Sequence, residues 1–451
     1  MAFSTRLKLV ATSDRLIRRN PVYYAKARRL IETLDLRDDS GRHVWKTERL
    51  NEVLSAARTT TYGRTHGKPS ALASWPILEK QAIRDDPDAF ITAGSWLSIP
   101  AATSGTTGTP LQLRRSLESV AYEQAVVDAL MERAGATTRS RGAVLRGDDI
   151  KDPADRSPPF WRLANGGRRL IFSSNHLDGD SLGDFVAALR EYSPDVLFAY
   201  PTVLEALCAL MLERGEALRI PLTVCGSEVL TRATCELART ALGTEVLCFY
   251  GQAERVAFAY GDPERGFRLL PSYSVNELQL AEAADDSDTY ELIATGLWNR
   301  TMPLVRYRTG DLFRLRKGAD PSAVAEGREP LLAIIGRSGD FLVSPSGTPL
   351  TGIDHIPRNV PHVVRTQFIQ DDPSSVRMLV LPAPGFGEAS HRLLMQHARA
   401  KLPPSMSVRI EVTTQLVKNA SGKSPLVVRS IEPAMSRSPL PRDETRQSVA
   451  P

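Results

Sequence analysis

The chain has 451 residues, 42% of them hydrophobic and 24% charged, and its formal net charge is +5. This is the composition of a soluble globular protein, and its length predicts two domains or more. Lysine and arginine are dispersed among acidic residues rather than gathered in a stripe, so we predict no nucleic-acid partner. No apolar run approaches the roughly 18 residues of a membrane helix, and the N-terminus has no apolar signal segment. We therefore predict a cytoplasmic protein without a membrane partner.

The first ninety or so residues are predicted to be mostly helical. The segment NPVYYAKARRLIETLDL begins with Asn20, a residue typical of helix N-caps, followed by Pro21 at the first helical position. Further on, TERLNEVLSAARTT repeats apolar residues at a spacing of three to four, which indicates an amphipathic helix.

A run of small residues, TSGTTGTP, occupies residues 103–110. It could be a flexible linker, or a loop whose backbone amides and hydroxyls bind phosphate. The LQLRRS that follows alternates apolar and polar residues, which predicts a strand directly after the loop. The run is not a Walker A loop, which needs GxxxxGK[ST]. The loop alone leaves both interpretations open.

Residues 142–254 change to short apolar runs that alternate with helical stretches. DVLFAY predicts a strand, and PTVLEALCALMLERG a helix with Pro201 near its start. IPLTVCG predicts the next strand, TRATCELARTALG a helix that Gly243 can end, and TEVLCFYG another strand. This alternation predicts an α/β fold with a parallel, helix-covered sheet.

The four cysteines indicate neither a zinc site nor a disulfide framework. They have no CxxC spacing, and no histidine pair accompanies them. We predict buried free thiols at Cys208, Cys225, Cys235 and Cys248.

The last part of the chain predicts a smaller unit. Strand-like runs in EPLLAIIGRSGDFLVSPSGTPLTG, VVRTQFIQDDPSSVRMLVLPAP and MSVRIEVTTQLV, with a helix around GEASHRLLMQHARAKL, are typical of a small α+β domain. We predict a large domain over residues 1–336, a small domain over 337–433, and a disordered tail over 434–451 that is rich in Pro, Ser, Arg and Glu.

Polar residues in further motifs stand where a nucleotide could bind. Glu254, in FYGQAER, follows a predicted parallel strand, as does the motif CGSEV, and open α/β sheets bind ligands beyond the carboxyl ends of their strands. Asp311, in YRTGDL, stands in a tight turn, where a carboxylate could accept hydrogen bonds from both hydroxyls of a ribose. Lys423, in NASGK, lies on a glycine-containing turn of the predicted small domain.

Each candidate residue also has a purely structural interpretation. Glu254 could form a surface ion pair with its neighbour Arg255, and Asp311 could cap its turn. Arg337 could be a solvated loop cation, and Lys423 an exposed loop lysine. Taken one at a time, these alternatives stay open.

In this order and spacing, the small-residue loop, CGSEV, FYGQAER, YRTGDL and NASGK resemble the motifs of the adenylate-forming superfamily. The chain is similar to the branch of phenylacetate–CoA ligases and their relatives linked to capsular polysaccharide synthesis, because WPILEKQAIRDDPDAFI looks like that branch's Pro-x-x-x-Lys lead-in to the phosphate loop. VSPSGTPL is more similar to the capsule-associated relatives. The resemblance covers nearly the whole chain and implies a small, mobile C-terminal domain.

The resemblance implies an enzyme that activates a small carboxylic acid with ATP and Mg²⁺, releases pyrophosphate and passes the acyl group to a thiol. Its catalytic residues would be Lys423, Glu254 and Thr107, with Glu254 also binding the metal. Tyr250 would stack on the adenine, and Asp311 would bind the ribose. The residues implied to bind the nucleotide are Ser104, Gly105, Thr106, Gly108, Gly226, Ser227, Glu228, Tyr250, Gly251, Asp311 and Arg337.

The sequence departs from the family pattern at the loop and at the hinge. Thr109 stands where the phosphate loop commonly has lysine, which removes one cation, and Arg114 or Arg115 could replace it. Gly339 takes the first acidic position of the hinge, and Asp340 keeps the second. No clear glycine-rich approach for pantetheine follows. The acceptor is therefore left open: coenzyme A is the first candidate from the resemblance, and an amine, a hydroxyl or a carrier protein are the alternatives.

A nucleotide-binding scaffold without catalysis is the hypothesis from a different class. A scaffold has no need of Glu254, Asp311 and a lysine on a second domain, so these residues favour an enzyme. For the acid, we expect pocket walls near Tyr200, Cys225, Phe249 and residues 256–260, which favours an aromatic or medium aliphatic acid.

Overall fold

The computed structural model describes most of the chain. The described residues are 16–36, 39–93, 98–102, 111–146, 150–152, 155–283, 285–337, 341–345, 349–350, 353, 356–357, 360–419 and 424–431. The small-residue loop at 103–110, Lys423 and the predicted tail over 434–451 lie outside this set. Within it, no helix is both long enough and apolar enough to span a bilayer.

Helices dominate the N-terminal part, as predicted. The Asn20 side-chain oxygen accepts hydrogen bonds from the amides of Val22 (3.0 Å) and Tyr23 (3.3 Å), which confirms Asn20 as the N-cap. The helices are α1 (Pro21–Leu36), α2 (Asp39–Thr59), α3 (Thr61–Thr65) and α4 (Lys80–Asp85), with 3₁₀ turns at Leu72–Ser74 and Pro87–Phe90.

Two antiparallel strands flank residues 103–110, so the strand predicted after the loop is confirmed. The Asn299 side chain forms two hydrogen bonds with the backbone of the second strand. Its Oδ1 accepts from the Ser116 amide at 3.0 Å, and its Nδ2 donates to the Arg114 carbonyl at 2.8 Å. The elements here are β1 (Ser98–Ala102), β2 (Gln112–Ser116) and α5 (Leu117–Arg133).

The principal sheet contains eight strands among the described residues, in the order β10-β9-β8-β7-β6-β3-β5-β4. Strands β5, β3, β6, β7 and β8 are parallel neighbours, whereas β4, β9 and β10 add antiparallel edges. The strands are β3 (Gly142–Leu145), β4 (Trp161–Ala164), β5 (Arg169–Phe172), β6 (Val196–Ala199), β7 (Leu222–Gly226), β8 (Glu245–Gly251), β9 (Phe258–Asp262) and β10 (Gly266–Leu269).

Two of the helices between these strands were predicted and are confirmed: one begins at Pro201, and the other ends at Leu242, before Gly243. Thr231 caps α8 through a hydrogen bond from the Thr234 amide, and Gly243 ends it with a left-handed φ of 53°. The four cysteines are free and buried, as predicted. The connecting elements are a 3₁₀ turn (Ser174–His176), α6 (Leu182–Tyr192), α7 (Pro201–Glu213) and α8 (Arg232–Leu242).

A second, antiparallel sheet with strand order β11-β12-β13-β14 follows, and our sequence analysis missed its first two strands. Its third strand carries YRTGDL, so the tight turn predicted at Asp311 is wrong, and Asp311 lies within a strand. The elements are β11 (Ser274–Ala283), β12 (Ser287–Gly296), β13 (Tyr307–Arg316), α9 (Pro321–Ala325) and β14 (Ala333–Arg337).

Four C-terminal strands form a further sheet, β19-β18-β17-β20, which has its own apolar core together with one helix, and β15 and β16 pair separately. Val364 and Leu381 of this sheet nevertheless pack into the core of the principal sheet. The elements are β15 (Leu342–Val343), β16 (Pro349–Leu350), β17 (Val363–Asp372), β18 (Ser375–Pro382), α10 (Glu388–Lys401), β19 (Ser407–Val412) and β20 (Val427–Arg429).

These sheets confirm the predicted fold class, an α/β protein with helix-covered mixed sheets and a smaller α+β unit at the C-terminus. The boundaries at residues 336 and 433, and the mobility of the small unit, stay predictions.

Candidate functional site

The carboxyl ends of the parallel strands bring together the first group of predicted residues. Gly226 ends β7 beside Phe249 of β8, and the Phe249 carbonyl would lie 3.0 Å from a Cβ at position 226. Ser227 follows with a left-handed φ of 70°. A side chain at position 226 would crowd this carbonyl, so glycine lets β7 end close against β8. Motif CGSEV thus leaves the sheet at the edge where α/β proteins bind ligands.

Tyr250 and Asp311 meet at this edge. The Tyr250 hydroxyl donates a hydrogen bond of 2.6 Å to Asp311 Oδ2 and accepts one from the Gln252 amide. Burial, and then the Asp311 carboxylate, raise the pKa of Tyr250 well above its usual value, so this hydroxyl stays a donor. The contact joins the residue predicted to stack on adenine to the one predicted to bind ribose.

Asp311 is also held by its own strand. Its amide donates to Thr309 Oγ1 at 3.0 Å, and Gly310 between them has a left-handed φ of 74°. Arg337 lies directly opposite Asp311 in the β13–β14 ladder, although its side chain is outside the described part of the structure. The predicted neighbourhood of Asp311 and Arg337 is therefore present in the backbone.

Glu254 lies in the turn after β8 and is only 7% exposed. Its Oε1 accepts a 2.7 Å hydrogen bond from the Tyr307 hydroxyl and lies 3.4 Å from Lys80 Nζ. The alternative of a surface ion pair with Arg255 is wrong, because Arg255 is also buried and pairs with Glu123 Oε2 at 3.1 Å. Glu254 is a buried carboxylate with a cation beside it.

Lys80 is the residue of this site that our sequence analysis missed. Leu78 forms a parallel bridge with Tyr307, through hydrogen bonds from the Leu78 amide to the Arg306 carbonyl and from the Arg308 amide to the Leu78 carbonyl. This short pairing carries the first residue of α4 to Glu254. The available signal was the Pro-x-x-x-Lys lead-in, in which Lys80 is the lysine.

Arg115 joins the loop hairpin to the same turn. Its Nε and Nη2 donate to the Ala253 carbonyl at 3.0 and 2.6 Å. Burial, and then the nearby Arg255, lower the pKa of Arg115. Of the two candidates to replace the loop lysine, Arg115 faces this turn, whereas Arg114 is exposed on β2.

The segment around Lys423 reaches the strand ends through its next residue. The Ser424 amide donates a 2.8 Å hydrogen bond to Glu228 Oε1. The other oxygen of Glu228 accepts from the Thr202 amide at 3.0 Å and from its hydroxyl at 2.8 Å. Glu228 therefore connects the start of α7 with the C-terminal unit.

No family model matches the chain. Among curated proteins, it is 26% identical to protein CapK of Staphylococcus aureus over 302 residues, covering 66% of each chain. It is 25% identical to phenylacetate-coenzyme A ligase of Pseudomonas putida over 291 residues, covering 60% of this chain and 62% of that protein. The crystal structure of 2-hydroxyisobutyryl-CoA ligase with R3-HIB-AMP shares its fold, with a TM-score of 0.57 at 13% identity, over 87% of this chain and 90% of that chain.

The chain is thus similar to protein CapK and to phenylacetate-coenzyme A ligases, in agreement with the resemblance of its motifs. Its matches span slightly less than two thirds of the length of these two curated relatives.

Part of the candidate site lies outside the described residues. The strand ends beside the loop are described, with Ala102 opposite Gln112, and so is Ser424. The predicted residues outside the description are Ser104, Gly105, Thr106, Thr107, Gly108 and Lys423.

Among the described residues, the protein could bind magnesium only together with ligands from outside the protein. No group of three or more His, Cys, Asp or Glu side chains there could hold a metal ion. Mg²⁺ in nucleotide sites is commonly held by one or two carboxylates plus substrate phosphates and water. Glu254 can supply one such carboxylate oxygen.

The expected wall of the acid pocket is wrong in one respect. Cys225 packs into the core of the principal sheet, where it pairs in register with Cys248. Phe249 is the next residue of β8, so its side chain lies on the opposite face and contacts Phe258 at 5.7 Å between ring centroids. Cys225 and Phe249 therefore do not line one surface.

Proposed function

We propose that this chain is an ATP-dependent ligase that converts a small carboxylic acid to an acyl-adenylate with release of pyrophosphate. The acyl group then passes to a thiol, for which coenzyme A is the first candidate. The curated relatives named phenylacetate-coenzyme A ligase support this reading.

The observation that carries the proposal is the hydrogen bond from the Ser424 amide to Glu228. It fixes the chain one residue from Lys423 at the edge of the sheet where β7 ends at Gly226 and β8 ends at Gly251. An adenylate-forming reaction needs a cation there, because negative charge of the acid and of the α-phosphate must come together. Lys423 is the residue we assign to that charge.

The remaining site residues would each bind a different part of the nucleotide. Asp311, oriented by Tyr250, would accept hydrogen bonds from the ribose hydroxyls. Glu254 would hold Mg²⁺, which would neutralise the phosphates, and Lys80 stands beside it as a further cation. Because Glu254 is buried, its carboxylate attracts a cation more strongly than it would in bulk water.

The chemistry has two displacements. A carboxylate oxygen of the acid attacks the α-phosphorus, and the bond from that phosphorus to the pyrophosphate oxygen breaks. A thiolate then attacks the acyl carbon, and AMP leaves with the oxygen that joined them. Lys423 and the loop at residues 103–110 would stabilise the charge of the first step through donors already in position.

The proposal predicts ATP–pyrophosphate exchange that depends on a carboxylic acid. Lys423→Ala should remove nearly all exchange while leaving the thermal midpoint unchanged, because Lys423 acts on charge that develops in the reaction. Lys401→Ala, at the end of α10, is the matched control and should retain exchange. If wild-type protein gives no exchange with a broad panel of acids, the ligase is refuted, and the nucleotide-binding scaffold becomes the better reading.

The acceptor is tested in the same assay. Adding coenzyme A should produce an acyl-CoA of the expected mass and release AMP. If AMP release instead requires an amine or a hydroxyl compound, the first step stands and the thiol is refuted. A carrier protein gains no support from the relatives named here.

A further inference from the structure

Two hydrogen bonds between a tyrosine and a carboxylate join β13 to β8 and the turn that follows it. The Tyr250 hydroxyl of β8 donates to Asp311 of β13 at 2.6 Å. The Tyr307 hydroxyl of β13 donates to Glu254, in the turn after β8, at 2.7 Å. In each segment the carboxylate follows the tyrosine by four residues. The two bonds therefore run in opposite directions, and each carboxylate is held by the tyrosine of the other segment.

The backbone of Tyr307 is fixed on both of its sides. It pairs in register with Ala294 of β12 on one side and forms the parallel bridge with Leu78 on the other. The preceding residue, Arg306, donates from its guanidinium to the Trp75 carbonyl at 2.8 Å. The Tyr307 side chain is itself fully buried. Its hydroxyl therefore stands on a rigid support.

Within the described part of the chain, both polar contacts of the Glu254 carboxylate use one oxygen. Oε1 accepts from Tyr307 and lies 3.4 Å from Lys80 Nζ. None of the described residues donates a hydrogen bond to Oε2. An ionised carboxylate has lone pairs on both oxygens, so Oε2 is the one that remains for a cation from outside the protein. With Oε1 held by Tyr307, the direction of Oε2 is set.

Lys80 cannot replace Tyr307 in setting this direction. Its ammonium is a point charge on a flexible four-carbon stem, and its side chain is 25% exposed. Without the tyrosine hydroxyl, the carboxylate of Glu254 would be free to turn towards the lysine. Hydrogen bonds that orient a metal-binding side chain typically change metal affinity or activity by about 10- to 100-fold when they are removed.

We propose that Tyr307 is a positioning residue for Glu254: its hydroxyl holds Oε1 so that Oε2 is presented to the magnesium of the nucleotide. This inference rests on the proposed function, in which Glu254 holds Mg²⁺. In this role, Tyr307 contacts the carboxylate and neither the metal nor the nucleotide. Because Tyr250 holds Asp311 in the same way, the metal-binding and ribose-binding carboxylates depend on different tyrosines and are tested separately.

The test compares Tyr307→Phe with Tyr122→Phe. Tyr122 is a matched control, because it is equally buried and its hydroxyl donates to Ser272 Oγ at 2.8 Å. Calorimetry without acid measures the Kd for ATP, once with Mg²⁺ and once with EDTA. We expect Tyr307→Phe to remove most of the affinity gained from Mg²⁺ and to leave the Kd in EDTA unchanged. It should also raise the Mg²⁺ concentration for half-maximal exchange by about 10- to 100-fold, whereas Tyr122→Phe should match wild type in all three.

Two further variants separate positioning from a general loss of structure. Tyr250→Phe should weaken ATP binding in EDTA as well as in Mg²⁺, because a ribose contact with Asp311 needs no metal. Glu254→Gln should abolish the gain from Mg²⁺. Adding Tyr307→Phe to Glu254→Gln should cause no further loss of ATP affinity, because Tyr307 acts through that carboxylate. Thermal midpoints establish that each variant is folded at the assay temperature.

The failures are distinguishable. Absence of exchange in a wild type that binds ATP more tightly with Mg²⁺ refutes the ligase, while the binding measurements still decide the role of Tyr307. An unchanged gain from Mg²⁺ in Tyr307→Phe refutes the positioning role alone. An equal loss in Tyr122→Phe, or a further loss in the Glu254→Gln background, does the same. A wild type whose ATP affinity does not respond to Mg²⁺ refutes both the assignment of Glu254 and the role of Tyr307.

Discussion

The hydrogen bond between Tyr250 and Asp311 joins residues 61 positions apart, and no local pattern indicates it. The resemblance of their motifs predicted that both residues lie in the nucleotide site. It did not predict the contact, because a hydrogen bond between two sheets depends on how those sheets pack. The same limit explains Lys80, whose position follows from pairing between Leu78 and Tyr307.

Tyr250→Phe tests that contact at the scale of one residue. Hydrogen bonds to charged groups contribute about 1.5–3 kcal/mol, so an Asp311 that loses its donor should raise the KM for ATP by about 10- to 100-fold. The kcat of exchange should change much less. Tyr290→Phe, on the neighbouring strand β12, is the control and should leave the KM for ATP unaltered. Equal values in wild type and Tyr250→Phe would show that Asp311 is positioned without the hydroxyl.

At the scale of elements, local sequence patterns predicted the helices whose ends carry capping residues. Asn20 and Thr231 cap their helices, and Gly243 ends one, because capping involves residues adjacent in sequence. β11 and β12 were missed, although SDTYELIATG carries some of the polar–apolar alternation of a strand. Their pairing with β13 extends the candidate site to Asp311, so the missed strands are part of its support.

Because β17 docks on α7 through a buried ion pair, removing the carboxylate of that pair should strongly reduce the free energy of unfolding. Glu205→Ala leaves Arg365 buried without its partner, which should reduce the free energy of unfolding by about 3–5 kcal/mol. Glu411→Ala removes the half-buried partner of the exposed Arg377 and should cost less than about 1 kcal/mol. Urea denaturation measures both.

A double variant completes this cycle. Glu205→Ala with Arg365→Ala should destabilise less than the sum of the two single variants, because the second removes the stranded charge. A strictly additive result would mean that the two side chains contribute independently and that the ion pair does not dock the strand.

At the scale of the whole molecule, burial of the thiols predicts that they do not react with thiol reagents in the folded state. Burial raises the pKa of Cys235 and of Cys248 to about 12, and raises those of Cys208 and Cys225 too. Only thiolates react readily. We expect none of the four to react with a disulfide reagent at pH 8 in native protein, and all four after denaturation. Rapid reaction of even one native thiol would contradict their burial.

The same pKa shifts predict the direction in which the free energy of unfolding changes with pH. A thiol whose folded pKa exceeds its unfolded value, near 9, favours the folded state while it is protonated. Its contribution to stability is fully present below pH 9 and is lost as the pH rises towards 12. Alkaline pH should therefore lower the free energy of unfolding, as measured by denaturant titration across that range.

The bridge between Leu78 and Tyr307 also has a consequence for biosynthesis. Trp75, which is 1% exposed in the finished protein, and Leu78 leave the ribosome long before β13, the strand with which Leu78 pairs. At roughly 5–20 residues per second, the wait lasts on the order of tens of seconds. During that time, an apolar segment that belongs against β13 has no partner strand. A nascent chain released before Tyr307 would lack the hydroxyl that hydrogen-bonds Glu254, however well its helices had formed.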